Sequence, residues 1–172
     1  MRRKIPAAAL IALAMLVPAA PAAAQAESPG LDAACQTVER KVYKDIRELY
    51  TIDLDTATDL EVRVLTAQIL HFARTDALPV LPDEITRQLN DPEADLREFL
   101  KTDVQEVWSI ALQISVGRTL TNAGPNVRAA AQKALNQASV DAYLAYLNNG
   151  LYEARALDCA PQPTGTPTTQ PR

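Results

Sequence analysis

The chain has 172 residues, a formal net charge of −4, two cysteines, one histidine and one tryptophan. An acidic chain with interspersed charges is a poor binder of nucleic acid or anionic membranes, because both are held by clustered Lys and Arg. The length leaves room for one domain of ordinary size.

In chain order, residues 1–24 read as a secretory signal. Arg2, Arg3 and Lys4 precede an apolar run over 5–17, and Ala22-Ala23-Ala24 offers a small-residue cleavage site, with cleavage after Ala24 or Ala26. The run falls short of the ~20 residues of a membrane span, although an uncleaved anchor is the competing reading. Removing the signal takes three of the 17 basic residues and none of the 21 acidic ones, which leaves 14 − 21 = −7. The expectation is a secreted, extracellular protein with no membrane span after cleavage.

Residues 33–50 are predicted to form a first helix, since Cys35, Val38, Val42, Ile46 and Leu49 recur at spacings of three and four. Thr and Asp alternate over 51–59 and interrupt it. A helix over 60–74 carries Val62, Leu65, Ile69 and Phe72 on one stripe, with His71 beside it. Two prolines make 78–82 a connector, and a short helix follows at 83–90. Asp91-Pro92-Glu93 looks like a capped restart and predicts a helix over 92–101. Thr102-Asp103 marks a kink or a second cap. The pattern then continues over 104–120, where Val104, Val107, Trp108, Ala111 and Ser115 share a face and the apolar surface is wide enough for burial on more than one side. A turn at 121–125 leads to an Ala-rich helix over 126–137, whose Ala130, Ala131, Ala134 and Ala138 allow close approach of a neighbour. Ser139 caps a helix over 140–147, Asn148-Asn149-Gly150 suggests a left-handed end, and a last helix is expected over 151–159. The Pro/Thr-rich stretch 160–172 has no large apolar residue and is expected to be a disordered tail.

Landmarks recur along this series. Glu61, Glu106 and Glu153 are 45 and 47 positions apart, Leu89 and Leu135 are 46 apart, and Phe99 and Tyr146 are 47 apart. Asp45-Ile46-Arg47-Glu48-Leu49 echoes Asp95-Leu96-Arg97-Glu98-Phe99. A period in this range is the mark of helical repeats, in which neighbours bury each other's apolar faces. The predicted fold is all-α: tandem helical-hairpin repeats forming a small compact or solenoid-like bundle over 31–159. Its units lie near 60–102 and 103–150, with partial units at both ends.

Gln68-Ile69 and Gln113-Ile114, the Gly-Pro-x-Val-Arg-x-Ala-Ala run over 124–131, Ala134-Leu135, and Leu96 with Phe99-Leu100 resemble the ALF repeat. Those short repeats occur in secreted actinobacterial proteins and have no known function. The resemblance covers about 60–159. The Gly-Pro-x-Val-Arg segment is replaced in the first unit by the proline connector, and Tyr146 stands where the motif has Phe. The family brings no catalytic residue with it.

Few residues propose chemistry. Cys35 and Cys159 sit at the two ends of the predicted domain, and export favours a disulfide between them over two free thiols. Two thiolates without a neighbouring His are too few for zinc. Asp53, Asp55, Asp59 and Glu61 form the densest acidic cluster; calcium is one reading, but no Gly stands at the tight turn, so a solvated capping loop over 53–61 is the better one. His71 has no nucleophile or orienting partner in a recognisable motif. Trp108 could be a ligand platform, yet its place on a helix stripe suits the core. The expectation is therefore a non-catalytic, cofactor-free extracellular interaction module for an unknown protein partner. A small ligand- or metal-binding exported protein, or an enzyme with an unfamiliar site, are the alternatives. The stretched junction between Tyr50 and Glu61 is where a specialised site would be sought.

Overall fold

Thr58 starts the first long helix. Its hydroxyl accepts the Glu61 N–H while the Glu61 carboxylate accepts the Thr58 N–H, a reciprocal cap that fixes where α1 (Asp59–Thr75) begins. In the computed structural model, which describes Cys35 and residues 39–160, six further helices follow. They are α2 (Leu81–Asn90), α3 (Leu96–Lys101), α4 (Asp103–Arg118), α5 (Pro125–Gln137), α6 (Val140–Ala145) and α7 (Leu151–Asp158). Among the described residues there is no strand, and the fold is all-α. The expected signal at 1–24 and the tail beyond residue 160 lie outside the described residues.

The burial pattern repeats. Val62, Leu65 and Leu70 of α1 are buried, and so, 46 positions on, are Trp108, Ala111 and Val116 of α4. Leu81 and Ile85 of α2 correspond in the same register to the buried Val127 and Ala131 of α5. Helix α4 touches α2, α3, α5 and α6, so Val104, Trp108, Ala111, Leu112 and Val116 have no exposed surface. Each large aliphatic side chain buried in this way contributes about 1.5–3 kcal/mol. Unit two carries Ala111 and Ala131 where unit one has Leu65 and Ile85, and α7 packs directly along α5, with Ala131, Ala134 and Ala154 buried.

Four predicted elements differ from the structure. The first helix is absent from 39–45, which are neither helix nor strand; Ile46–Leu49 makes a single 3-10 turn, Cys35 has 3-10 geometry, and residues 33, 34 and 36–38 lie outside the described residues. Burial alternates from Lys41 to Asp45, the period of an extended chain lying on a surface, and Val42 is 61 % exposed. The connector is shorter than predicted, since Leu81 and Pro82 already form the first turn of α2. The helix expected from Pro92 begins only at Leu96, because Asp95, not Asp91, is the cap: its carboxylate accepts from Arg97 and Glu98 N–H. Asp91 spends its carboxylate on the Glu93 N–H in a local turn instead.

The fourth difference is at Asn148-Asn149-Gly150. Gly150 has φ −57°, ordinary right-handed helix, so no left-handed end is made there. Tyr146–Gly150 is a π-helical turn that joins α6 to α7 without a break. Tyr146, Leu147 and Leu151 are all buried across it, so apolar packing carries the helix through. Thr102, with φ −115° and ψ −65°, kinks the chain between α3 and α4 at the predicted point.

Candidate functional site

Residues 39–50 cross the bundle as a strap that meets both units. Asn148, in the π turn, accepts the Tyr43 N–H through Oδ1 at 2.7 Å and donates from Nδ2 to the Tyr43 carbonyl at 3.0 Å. Tyr152 of α7 accepts the Lys41 N–H at 2.6 Å and returns its hydroxyl proton toward the Lys41 carbonyl at 3.2 Å. At the far end of α1, the buried Asp76 carboxylate accepts the Lys44 N–H at 3.0 Å, and its backbone oxygen accepts from Lys41 Nζ. Tyr50 donates to the Leu100 carbonyl at 3.0 Å, and burial pushes its phenol up from the ordinary value. These bonds take backbone groups a helix would have used, which is why the predicted helix is not formed over 39–45.

The basic side chains of the strap each find an acceptor or a ring. Arg40 donates to the Asn148 carbonyl and to Asn149 Oδ1, with its guanidinium 5.4 Å from the Tyr152 ring centroid. Lys44 Nζ is 4.9 Å from the Phe72 ring. Arg47 pairs with Asp45 and Asp141 and lies 5.8 Å from the Trp108 ring. The hydrogen bond from Arg47 holds the Asp45 carboxyl below its ordinary value. Ile46 is buried at the end of the strap.

Trp108 is a core residue, as its stripe predicts; its Nε1–H is buried without a hydrogen-bond partner. His71 is exposed and stacks edge-on with Phe72 at 5.6 Å. The acidic loop is consumed by local structure. Asp53 Oδ1 accepts the Asp55 N–H, Asp55 pairs with Lys101, and Arg97 reaches Asp59 and the Leu54 and Ala57 carbonyls. Lys101 lowers the Asp55 carboxyl, and the Thr58 backbone N–H does the same for Glu61. The stretched junction is thereby pinned to α3, and among the described residues no acidic or His cluster has the arrangement of a metal site.

Cys35 and Cys159 are joined as a disulfide, with Cα atoms 5.4 Å apart. Beside it is a second tie the sequence reading missed. The Asp158 carboxylate accepts the N–H groups of Asn126 at 2.8 Å and Val127 at 3.0 Å, the free donors at the start of α5. Burial raises its carboxyl, but those backbone donors outweigh it and the net shift is downward. Gly124 makes room: a Cβ there would lie 2.3 Å from Asp158 Cγ. The Gly-Pro-x-Val-Arg run therefore forms a carboxylate cradle at the head of α5.

Residues 114–154 match ALF, short repeats of unknown function. The matched stretch runs from the second half of α4 through α5, α6 and the π turn into α7, so it contains the ALF cradle but not Asp158, which fills it. No curated protein and no solved structure matches the chain. Beside the ALF segment, Ala130, Ala134, Ala145, Tyr146 and Leu157 line a groove of about 490 Å³ between α5 and α6–α7. A shallow, mostly apolar groove of about 580 Å³ runs along α1 at Val64, Ala67, Gln68 and His71. No helix among the described residues is long and apolar enough to cross a membrane.

Proposed function

We propose that the protein is a secreted, non-catalytic helical repeat protein that acts as an extracellular protein-interaction module. The observation that carries this reading is the recurrence of exposed aliphatic residues at the repeat spacing. Val64 of α1 is 48 % exposed and Ile110 of α4, 46 positions on, is 42 % exposed. Each unit thus leaves an apolar residue outside the core at the same place, and repeat architectures use such repeated outer positions as binding surface. The Cys35–Cys159 disulfide supports export, since structural disulfides persist in oxidising compartments. The polar groups described above are spent on caps, the strap and the acidic loop, which favours a holding role over turnover.

Affinity capture from culture medium with the immobilised full chain tests the reading. A protein retained by the native chain and lost with Val64→Asp or Ile110→Asp, at unchanged circular dichroism, is the expected result. Turnover of a substrate that is abolished by a point substitution would sink it. A second reading, a small-ligand binder, is favoured by the groove between α5 and α6–α7, whose volume is in the range of ligand pockets. A saturable thermal shift with a small molecule, lost on Ala134→Trp, would decide for it.

A further inference from the structure

We propose that the bundle carries a receptor groove for an extended basic peptide of a partner protein, which residues 39–47 of this chain occupy in cis. The proposal rests on the interaction-module reading and names the class of partner.

Three side chains from separate elements hydrogen-bond to the main chain of the strap. Asn148 takes both the N–H and the C=O of Tyr43, Tyr152 takes both of Lys41, and Asp76 takes the N–H of Lys44. Every non-proline residue presents these groups, so this part of the groove fits any extended chain. A primary amide that spans the N–H and C=O of one residue fixes chain direction and register without reading a side chain.

Selectivity comes from what lies beside those readers. Within eight positions the strap carries Arg40, Lys41, Lys44 and Arg47. Their counterparts on the bundle are Asn149 Oδ1 and the Tyr152 ring, the Asp76 carbonyl, the Phe72 ring, and Asp141 with the Trp108 ring. Cations over aromatic faces and cations beside carboxylates are both favourable, and the net charge of the chain adds long-range attraction. An apolar anchor, here Ile46, completes the fit. The Cys35–Cys159 disulfide ties down the chain four residues before the strap begins. A tethered segment competes at an effective concentration in the millimolar range, so the oxidised chain is closed to outside peptide and a loosened strap opens it.

The test uses the full chain with Cys35→Ser and Cys159→Ser, to remove the disulfide without leaving a free thiol, and Ile46→Asp, to loosen the strap. A fluorescent peptide with the sequence of residues 39–50 is titrated and followed by anisotropy, beside the same peptide with Arg and Lys replaced by Glu. The expected result is saturable binding of the first peptide and none of the second. Adding Asn148→Ala should weaken binding about tenfold or more through two lost hydrogen bonds. The native oxidised chain should bind far more weakly than the opened one. No saturable binding to a chain that keeps its helical signal, while amide exchange at 41–47 shows the strap released, overturns the proposal. Should the triple variant lose its helical signal, native chain in reductant with millimolar peptide replaces it; an Asn148 side-chain amide resonance that does not move then overturns the proposal equally. A dimer formed on opening, with peptide excluded, also overturns it, because the occupant would then be the strap of a second copy. Failure here with a protein still captured through Val64 and Ile110 removes the groove alone, whereas failure of both removes the module.

Discussion

Asp158 shows how one side chain can hold two elements. Its carboxylate satisfies the donors at the head of α5, and the next residue in the chain is Cys159, so the cradle sets where the disulfide lies. Replacing Asp158 with Asn should cost about 0.5–2 kcal/mol, the range of a lost helix cap, measured by urea unfolding at neutral pH. Gly124→Ala should cost a similar amount through the same contact, and the double variant should lose less than the two single losses combined. The pH dependence has a definite sign. Asp158 and Asp45 have folded carboxyls below their ordinary value of 3.8, so their stabilisation is complete above that value and is lost as the pH falls through the folded values. The gap between native chain and Asp158→Asn should therefore narrow as the pH falls below the ordinary carboxyl value of 3.8. A gap that stayed constant through acid unfolding would contradict the capping role.

At the scale of elements, the last two helices invert an expectation from turn chemistry. Asn-Asn-Gly reads as a left-handed stop, yet Gly150 is right-handed and its Cβ would meet only ordinary contacts, the nearest at 3.5 Å. Gly150→Ala should therefore stabilise the protein by about 0.5–1 kcal/mol through the unfolded chain. The left-handed position is instead Ala138, the cap residue of α5 with φ 48°. Ala138→Gly should stabilise by up to about 1 kcal/mol for the opposite reason, the relief of a strained backbone. Thermal unfolding of the two variants decides both, and a destabilised Gly150→Ala would mean that a left-handed break is made after all. At the start of α1 a side-chain cap sets the boundary: Thr58→Ala removes the capping box and should cost about 1 kcal/mol.

At the scale of the molecule, the disulfide closes a loop with a sequence separation of 124. Chain entropy gives about 4.7 kcal/mol for a loop of about 100 residues, so reduction should lower the unfolding midpoint by a large fraction of the stability of a domain this size. The strap and α7 should loosen first, because Cys35 precedes the strap in the chain and Cys159 caps the end of α7. Amide exchange of the reduced chain should rise in residues 39–50 before it rises in α4, whose core face is closed on several sides. Equal increases throughout would mean that the strap is not a separable part.

The helical class, the central helix around Trp108, the recurrence near 46 positions and the pairing of Cys35 with Cys159 could all be read from residue order. They depend on spacing along the chain: an apolar stripe needs partners on a fixed face, and a repeat that cannot bury its own face needs its neighbour. On the predicted α4 stripe Val104, Trp108, Ala111 and Ser115 are buried and Val107 is partly buried against the core, and the chain kinks at Thr102 because Thr-Asp interrupts two apolar runs. The first helix did not hold. Its stripe was sound, but Asn148, Tyr152 and Asp76, each more than thirty positions away, claim its backbone groups, and no local pattern announces such partners. The same holds for Asp158 over Gly124, and for the π turn, where Tyr146, Leu147 and Leu151 keep the helix going against its own Asn-Asn-Gly. Local periodicity determined which segments are helices and which faces are buried. Only the tertiary structure decided where the chain forgoes a helix, because that choice depends on hydrogen-bond partners brought together by packing.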